Sequence, residues 1–236
     1  MRPLVLVPTY NERENLKPLI TALLSIDAVT VMVMDDNSPD GTADEGDALA
    51  AVSNGRLAVM RRSGPRGLGR SYVEGMAAAL RTDATHICQM DADFSHDPAA
   101  LPQLLAAAGS ADLVIGSRYI PGGELCNWPA HRVMLSTFAN WYVRAITRLP
   151  VHDCTSGFRC WTRQLLARLP LDRIMSDGYA FQVEMAWEAH TAGGRIVEVP
   201  ITFVERREGQ SKMSGRVIGE SVLLPWRLIA RPRRSA

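Results

Sequence analysis

The chain has 236 residues, enough for a full hydrophobic core, and its 47% hydrophobic and 22% charged content is that of a globular protein. Its 26 basic and 25 acidic residues leave a net charge of +1, so we expect no nucleic-acid partner. The four cysteines match no zinc spacing, and no apolar run approaches the roughly 18 residues of a membrane span. No signal peptide is expected, because Arg2-Pro3 leads straight into a strand. We therefore expect a cytosolic protein with reduced thiols.

Short apolar runs alternate with helical patterns along the first half of the chain. Strands are predicted at 4–7, 29–34, 56–60, 85–89 and 112–115, with helices between them at 15–24, 70–80 and 101–108. Repeated strand–helix units of this kind predict an α/β fold whose mainly parallel sheet carries helices on both faces.

The second half changes character, because aromatic and basic residues become frequent after Asn127. We predict an amphipathic helix at 131–149, a helix at 178–190, one strand at 195–204, and a last amphipathic segment at 217–229 that Pro225 interrupts. The aromatic stripe around Trp141 fits either a buried core or a membrane interface, and the sequence leaves both interpretations open. No repeat or low-complexity linker divides the chain, so we expect one domain with a C-terminal appendage.

Two carboxylates, Asp91 and Asp93, follow the predicted strand 85–89 directly. Open α/β sheets bind ligands at the carboxyl ends of their strands. A hard divalent cation takes one or two carboxylates plus substrate phosphates, so this pair is a candidate metal site. A lone Asp-x-Asp is more often a solvated turn, and the metal interpretation therefore depends on the other motifs of the chain.

Two further motifs are ambiguous when taken alone. The stretch 35–42 is dense in Asp, Asn, Ser, Pro and Gly, as a turn and helix start require, but its acidic side chains can also accept hydrogen bonds from a nucleoside. Gly67-Leu68-Gly69 has only part of a dinucleotide fingerprint, since Tyr72 occupies the place of the third glycine, and NAD binding is not expected.

Six motifs nevertheless follow one another at spacings typical of one family. They are Pro8-Thr9-Tyr10-Asn11-Glu12, the stretch 35–42, Gly67-Leu68-Gly69, Met90-Asp91-Ala92-Asp93, Gly116-Ser117-Arg118-Tyr119 and the stretch 206–212. Together they resemble the polyprenyl (dolichyl) phosphate mannosyltransferases, a branch of the inverting family-2 glycosyltransferases with the GT-A fold. The first two are shared across family 2, whereas 153–159, 178–182 and Arg206-x-x-Gly209-x-Ser211-Lys212 point to the polyprenyl-phosphate branch. The resemblance runs from Leu4 to about Met213 and is to the compact form of the branch, without the C-terminal transmembrane helices of many relatives.

The resemblance implies transfer of mannose from GDP-mannose to a polyprenyl phosphate, with Mg²⁺ or Mn²⁺ as cofactor. It implies a GT-A domain over 1–212, with a nucleotide-sugar half to about 120 and an acceptor half after it, and an amphipathic basic segment at 213–236. The residues that it implies hold the nucleoside are Pro8, Tyr10, Glu12, Met34 and Asp36.

Further roles follow from the same resemblance. Asp91, Ala92 and Asp93 are expected to approach the diphosphate through the metal, and Ser95 stands where some relatives have a glutamine ligand. Arg118, Arg206 and Lys212 match positive residues that contact donor or acceptor phosphates, and Arg132 with Ser136 matches the pair that receives the lipid phosphate. The expected catalytic residues are Asp91, Asp93, Arg118 and Arg206.

The acceptor chemistry explains why arginines are expected at this site. A phosphate monoester has a second pKa of about 6 and is largely dianionic near pH 7, so it needs no carboxylate base. The enzyme must instead overcome repulsion between two anionic reactants, for which arginine is well suited. The sequence alone also allows Arg132 to be a solvated residue at a helix start.

Other functions stay open on the residues alone. One is a family-2 enzyme that uses UDP-glucose or another nucleotide sugar, and another is a non-catalytic nucleotide-binding subunit of a membrane complex. A lipid acceptor requires approach to a bilayer, so we expect peripheral association with the cytoplasmic face through segments 131–149 and 217–229. Protein partners are not predicted.

Overall fold

The computed structural model describes residues 1–174, 176–205 and 215–231, and of residues 215–221 only the backbone. The strands are β1 (Pro3–Thr9), β2 (Thr30–Asp35), β3 (Leu57–Arg61), β4 (His86–Gln89), β5 (Leu113–Ser117), β6 (Glu124–Cys126), β7 (Arg159–Thr162), β8 (Ile196–Pro200) and β9 (Thr202–Val204). The helices are α1 (Arg13–Leu24), α2 (Thr42–Ala51), α3 (Leu68–Ala79), α4 (Leu101–Ala107), α5 (Ala130–Thr147), α6 (Arg163–Leu166), α7 (Gly178–Thr191) and α8 (Gly215–Ala230).

The described residues form one large sheet in the order β3-β2-β1-β4-β7-β5-β8, and all its pairings except those of β7 are parallel. Successive residues of β1 serve opposite faces: Leu4 and Leu6 belong to one core cluster, and Val5 and Val7 to the other. One cluster includes side chains of α3 and α7, and the other those of α1 and α4. The predicted mainly parallel sheet, covered on both faces, is therefore confirmed.

The antiparallel strand β7 is the part of the sheet that the sequence did not predict. It lies between β4 and β5, with Cys88 opposite Cys160 and Ile115 opposite Arg159. Because β7 runs against its neighbours, its amino end lies at their carboxyl ends. The loop 153–158 is thereby delivered to the edge of the sheet where Asp91 and Asp93 emerge.

The predicted single strand at 195–204 is wrong, because the chain changes sheets at Ile201. β8 pairs with β5 in the large sheet, whereas β9 pairs with β6 in a separate two-stranded parallel ribbon. Pro200 has no N–H to donate, which favours the end of a ladder at this point. The backbone N–H of Ile201 instead donates to the carbonyl oxygen of Ser117 at 3.0 Å.

The interruption predicted at Pro225 is also wrong, since α8 continues through it. Leu224 and Leu228, one turn apart, are buried in the same core cluster as α7 side chains, and this packing offsets the missing proline hydrogen bond. Among the described residues, no helix has the length and apolar character needed to cross a bilayer.

The aromatic stripe of α5 faces solvent rather than the core. Phe138 is 59% and Trp141 60% exposed, although both are large apolar side chains. The outer side of α8 continues this surface, and the Tyr142 hydroxyl, which donates to the Val222 carbonyl oxygen at 2.9 Å, joins the two helices. We call this surface the aromatic face; its exposed side chains are Met134, Leu135, Phe138, Trp141, Val222, Leu223, Trp226 and Ile229.

Candidate active site

A cleft of about 580 Å³ opens at the carboxyl ends of β1, β2 and β4. Parallel strands end here side by side, as open α/β sheets do around their ligands. Seven residues predicted for the site line it together: Pro8, Tyr10, Glu12, Asp36, Asp91, Ala92 and Asp93. Motifs far apart in the sequence therefore meet because their strands are neighbours.

One end of the cleft is built around Asp36. Its carboxylate forms an ion pair with the buried Arg62 and accepts the Gly67 backbone N–H at 3.0 Å, which fixes the loop before α3. Each carboxylate oxygen can accept more than one hydrogen bond, so Asp36 can still bind a ligand donor. The Arg66 guanidinium lies over the Tyr10 ring, 4.4 Å from its centroid, and provides positive charge at this end.

Met34 is a correction to the predicted nucleoside contacts. Its side chain is fully buried in the core cluster that also contains Tyr72 and Met76, and it is not part of the cleft lining. A Cβ added to Gly75 would come within 1.9 Å of the Met34 sulfur, so the glycine makes room for this methionine. Because side chains alternate along β2, Met34 lies on the face of the sheet that α3 and α7 cover.

The loop that carries the two carboxylates is held from behind by His96. The Asp91 backbone N–H donates to His96 Nδ1 at 3.3 Å, and the imidazole packs against Phe158 and Phe203. Burial lowers the pKa of His96, which keeps the ring neutral so that Nδ1 can accept this hydrogen bond. The backbone before Asp93 is therefore fixed by a buried side chain.

Asp91 itself has a neutral hydrogen-bond partner inside the fold. The Tyr72 hydroxyl donates to Asp91 Oδ1 at 3.4 Å. Burial, followed by the nearby Asp91 charge, raises the pKa of Tyr72 well above its usual value, so the phenol stays protonated. This contact orients the carboxylate without neutralising its charge.

The two carboxylates fit a divalent cation that shares its ligands with a substrate. The Asp91 side chain is 32% exposed, and beside its Oδ2 lies Gly157, whose added Cβ would come within 3.4 Å. Among the described residues, no three His, Cys, Asp or Glu side chains gather as a complete metal centre. A cation at Asp91 and Asp93 would thus need further oxygens, which a diphosphate supplies.

Ser95 is a second correction, because the structure does not bring it to the cleft. Its side chain is buried outside the lining, and its hydroxyl makes no hydrogen bond within the described part of the chain. Its backbone N–H donates to Asp93 Oδ1 at 3.0 Å, and its carbonyl oxygen accepts the Val204 N–H at 3.2 Å. Ser95 therefore positions Asp93 and connects this loop to β9.

The opposite wall of the cleft comes from α3 and α7, which sequence reasoning did not assign to the site. Asp177 Oδ1 accepts the backbone N–H groups of Gly69 at 2.7 Å and Gly178 at 2.8 Å, which joins the starts of the two helices. A Cβ on Gly67 would come within 2.1 Å of Asp177 Oδ2, so this approach requires glycine. Asp177 directly precedes the motif 178–182, and this motif was the feature of the sequence from which its place in the site could have been predicted.

Gln182 and Ser71 are polar, buried and directed at the same cleft. Gln182 is 2% exposed, and within the described residues neither of its amide atoms has a hydrogen-bond partner. The Ser71 hydroxyl is also buried without a hydrogen-bond partner among the described residues. Buried polar groups are seldom left unpaired, so both are candidates for ligand contacts. The sequence assigned no role in the site to the remaining lining residues, which are Thr9, Arg66, Gly67, Leu68, Thr155, Gly157, Asp177, Gly178 and Tyr179.

Arg118 lies behind the cleft rather than in its lining. Its Nε and Nη2 donate to Asp153 at 2.7 and 2.6 Å, and Nη2 also donates to Thr155 Oγ1 at 2.8 Å. Burial would raise the pKa of Asp153, but the Arg118 charge outweighs it and holds that pKa below its usual value. Thr155 lines the cleft and thus connects Arg118 to it.

Arg132 and Ser136 lie one turn apart on α5, next to this group. Tyr119 donates from its hydroxyl to Ser136 Oγ at 2.7 Å, and the Asn140 amide bridges the Ser136 carbonyl oxygen and Thr155 Oγ1. Arg132 lies over the Trp128 ring and is paired with Glu205. Arg206 and Lys212, predicted to contact phosphates, lie outside the described residues.

A mainly parallel sheet with a cleft of about 580 Å³ at its strand ends and an Asp-x-Asp pair inside that cleft is typical of a GT-A fold. Solved structures show the same fold. Glucosyl-3-phosphoglycerate synthase from Mycobacterium tuberculosis, in complex with phosphoglyceric acid, aligns with a TM-score of 0.73 and 19% identity over 98% of this chain and 80% of that one. The same enzyme in complex with Mn²⁺, UDP and glucosyl-3-phosphoglycerate aligns with a TM-score of 0.66 and 20% identity over 97% of this chain and 77% of that one.

The family is established by sequence. The profile described as glycosyl transferase family 2 matches residues 4–173. A polyprenol monophosphomannose synthase of Mycolicibacterium smegmatis is 46% identical over 94% of this chain and 84% of its own length. An undecaprenyl-phosphate mannosyltransferase of Micrococcus luteus is 47% identical over 98% of this chain and 96% of its own length. The chain therefore belongs to glycosyltransferase family 2, and the predicted resemblance is confirmed.

Proposed function

We propose that this protein transfers mannose from GDP-mannose to a polyprenyl phosphate, with inversion at the anomeric carbon, and releases GDP. The observation that carries the proposal is that Thr155 connects the Asp91/Asp93 cleft to Arg118, and that Arg118 and Arg132 lie over the same Trp128 ring. The names of the two relatives, which share 46% and 47% of aligned residues with this chain, support the sugar and the lipid acceptor.

On the donor side, we assign Pro8, Tyr10, Glu12 and Asp36 to the nucleoside, and Asp91, Ala92 and Asp93 to the diphosphate. A Mg²⁺ or Mn²⁺ ion bound there would supply positive charge that stabilises the leaving diphosphate. The chain's own contribution is a loop fixed by His96 and a carboxylate oriented by Tyr72. Arg206 and Lys212 remain proposed phosphate contacts.

On the acceptor side, Arg132 and Ser136 are assigned to the lipid phosphate, and Arg118 supports them from behind. The phosphate dianion is already a nucleophile, so no residue has to remove a proton from it. What the site must supply is positive charge against two anionic reactants. Arginines at the site therefore favour a phosphate acceptor over a sugar hydroxyl.

The aromatic face suits a lipid acceptor. Arg132 and Ser136 lie on the same helix, α5, as the exposed Phe138 and Trp141. Aromatic side chains favour the bilayer interface, and a polyprenyl phosphate keeps its tail in the membrane with its phosphate at the surface. We therefore propose peripheral docking through the aromatic face at the cytoplasmic side of a membrane.

The direct test is an incubation of the pure protein with labelled GDP-mannose, Mg²⁺ and a polyprenyl phosphate, followed by analysis of the lipid phase. We expect a β-linked mannosyl phosphate lipid and GDP. Parallel incubations with UDP-glucose and other nucleotide sugars separate the alternative donors. Binding of GDP with no transfer from any donor would instead support a non-catalytic subunit.

A further inference from the structure

The two arginines of the proposed acceptor site that lie among the described residues, Arg118 and Arg132, are neutralised in different ways. Arg118 and Asp153 are almost fully buried, with side-chain exposures of 3% and 0%. Arg132 and Glu205 form the second pair, and their side chains are 31% and 27% exposed. Both guanidiniums are therefore paired with carboxylates, but only the second pair is accessible to an incoming anion.

The Arg118–Asp153 pair is a permanent part of the fold. Asp153 accepts two guanidinium hydrogen bonds and also the Arg118 backbone N–H at 3.0 Å. Opening this pair would leave a charge uncompensated in the interior, which is strongly unfavourable. An acceptor phosphate cannot take the place of Asp153.

The Arg132–Glu205 pair has a different construction. It consists of a contact between Arg132 Nη1 and Glu205 Oε2, whereas the guanidinium also rests on the Trp128 ring, 4.5 Å from its centroid. Trp128 packs edge-on against Phe203 of β9, so this platform does not depend on the Glu205 carboxylate. Arg132 can therefore keep its position when the carboxylate leaves.

Glu205 is also well placed to move its side chain without unfolding the ribbon. Its backbone N–H donates to the Cys126 carbonyl oxygen at 3.1 Å, which holds the main chain at the end of β9. The partly exposed side chain can rotate into solvent from this anchored position. The pair is thus suited to exchange rather than to permanent support.

We propose that Glu205 is an exchangeable anion that occupies Arg132 until a phosphate dianion displaces it, and that this exchange selects dianionic acceptors. The inference rests on the proposed function and adds a specificity-determining residue to it. A phosphate dianion brings a larger charge and more acceptor oxygens to Arg132 than a carboxylate does. A neutral hydroxyl or a monoanionic phosphodiester gains little by displacing Glu205.

The test compares Glu205→Gln with the unmodified protein, using a short-chain polyprenyl phosphate and its methyl ester, a monoanion. Because an exposed ion pair contributes little, we expect the Kd and KM for the phosphate to fall by about three- to fivefold in the variant. The kcat and the KM for GDP-mannose should stay unchanged. The preference for the dianion over the ester should shrink, which a purely structural role for Glu205 would not produce.

Two further variants keep the test decisive. Glu124→Gln removes the same charge from an exposed position in the same two-stranded ribbon, and it should leave the acceptor KM unchanged. Glu205→Asp retains the charge but withdraws it by one methylene, so its acceptor KM should lie between those of the unmodified protein and Glu205→Gln. If Glu205→Gln does not fold, a lower acceptor KM in Glu205→Asp than in the unmodified protein tests the inference instead.

The outcomes separate this inference from the proposed function. An acceptor KM that is unchanged or higher in Glu205→Gln overturns the inference, as does an equal fall in Glu124→Gln. If the unmodified protein neither binds nor mannosylates the polyprenyl phosphate, the proposed function itself fails.

Discussion

Arg118 and Asp153 form an ion pair through two parallel hydrogen bonds, at 2.7 and 2.6 Å, in a region where both side chains are buried. The pair joins the end of β5 to the loop that carries Thr155 and Gly157 into the cleft. It therefore acts on both the stability of the fold and the shape of the site.

We predict that Asp153→Asn lowers the free energy of unfolding by about 3–5 kcal/mol, because it leaves the buried Arg118 charge uncompensated. Chemical denaturation measures this change. Asp83→Asn, at an exposed position, is the matched control and should have little effect. An unfolding midpoint equal to that of the control would contradict the role of the pair.

The same pair predicts how stability depends on pH. The pKa of Asp153 is lower in the folded protein than in the unfolded chain, where it is about 3.9. The stabilisation that the ionised Asp153 provides is therefore complete above that unfolded pKa. That contribution is lost as the pH falls through the folded pKa. Denaturation across this acidic range should show a smaller loss of stability for Asp153→Asn than for the unmodified protein.

We predict that Asp93→Asn nearly abolishes mannosyl transfer while the fold stays intact. The substitution removes a charge from the proposed metal site, whereas the backbone around it is still held by His96 and Ser95. Turnover at saturating Mg²⁺ and circular dichroism are the two measurements. Near-normal turnover of this variant would exclude Asp93 as a metal ligand.

Because the Gln182 amide lines the cleft without a hydrogen-bond partner among the described residues, we predict that it contacts the sugar of the donor. Gln182→Met keeps the side-chain length but removes the amide, so we expect affinity for GDP-mannose to fall by about three- to tenfold, as for one or two lost neutral hydrogen bonds. Affinity for GDP, which lacks the sugar, should not change. Calorimetric titration with both ligands tests this, and an equal loss for both would assign Gln182 to a structural role.

We predict that no carboxylate acts as general base, because the acceptor phosphate is already ionised, and that this phosphate sets the acidic limb of the pH–rate profile near its second pKa of about 6. Replacing the acceptor by a phosphonate of different pKa should move that limb with the acceptor. A limb that stays in place would indicate a titrating group of the enzyme instead.

Liposome binding should depend on the aromatic face. The double variant Phe138→Asp with Trp141→Asp introduces two charges where large apolar side chains are exposed, and burial of each such side chain contributes about 1.5–3 kcal/mol at most. We expect it to lose co-sedimentation with anionic liposomes at low salt. The unmodified protein should bind and be partly released by high salt.

The control for this surface is Val52→Asp, at an exposed apolar position on the other side of the sheet. It should bind liposomes normally. The double variant and a deletion of 222–236 should also lose more activity on long-chain than on short, water-soluble polyprenyl phosphate. Equal losses on both acceptors would argue against membrane docking.

The sequence by itself determined the class of the protein and seven of the residues that line the cleft. Asp91 and Asp93 were identifiable because they directly follow a buried apolar run, whereas Pro8, Tyr10, Glu12 and Asp36 were implied by the resemblance to a known family. Parallel strands place their carboxyl ends together, so local patterns of period 2 and 3.6 predict which motifs meet. These patterns involve residues that are close in the sequence, so they can be recognised without the tertiary structure.

The tertiary structure alone decided the features that depend on long-range contacts. Met34 and Ser95 face the interior because of strand alternation and loop packing, and Gln182 reaches the cleft because α7 docks beside α3. The aromatic stripe of α5 was equally compatible with core or surface, since periodicity gives a helix an apolar side without saying what covers it. Arg132 pairs with Glu205, 73 residues away, because the chain leaves the large sheet at Ile201 and β9 then pairs with β6, which brings Glu205 beside α5. No local pattern encodes this contact.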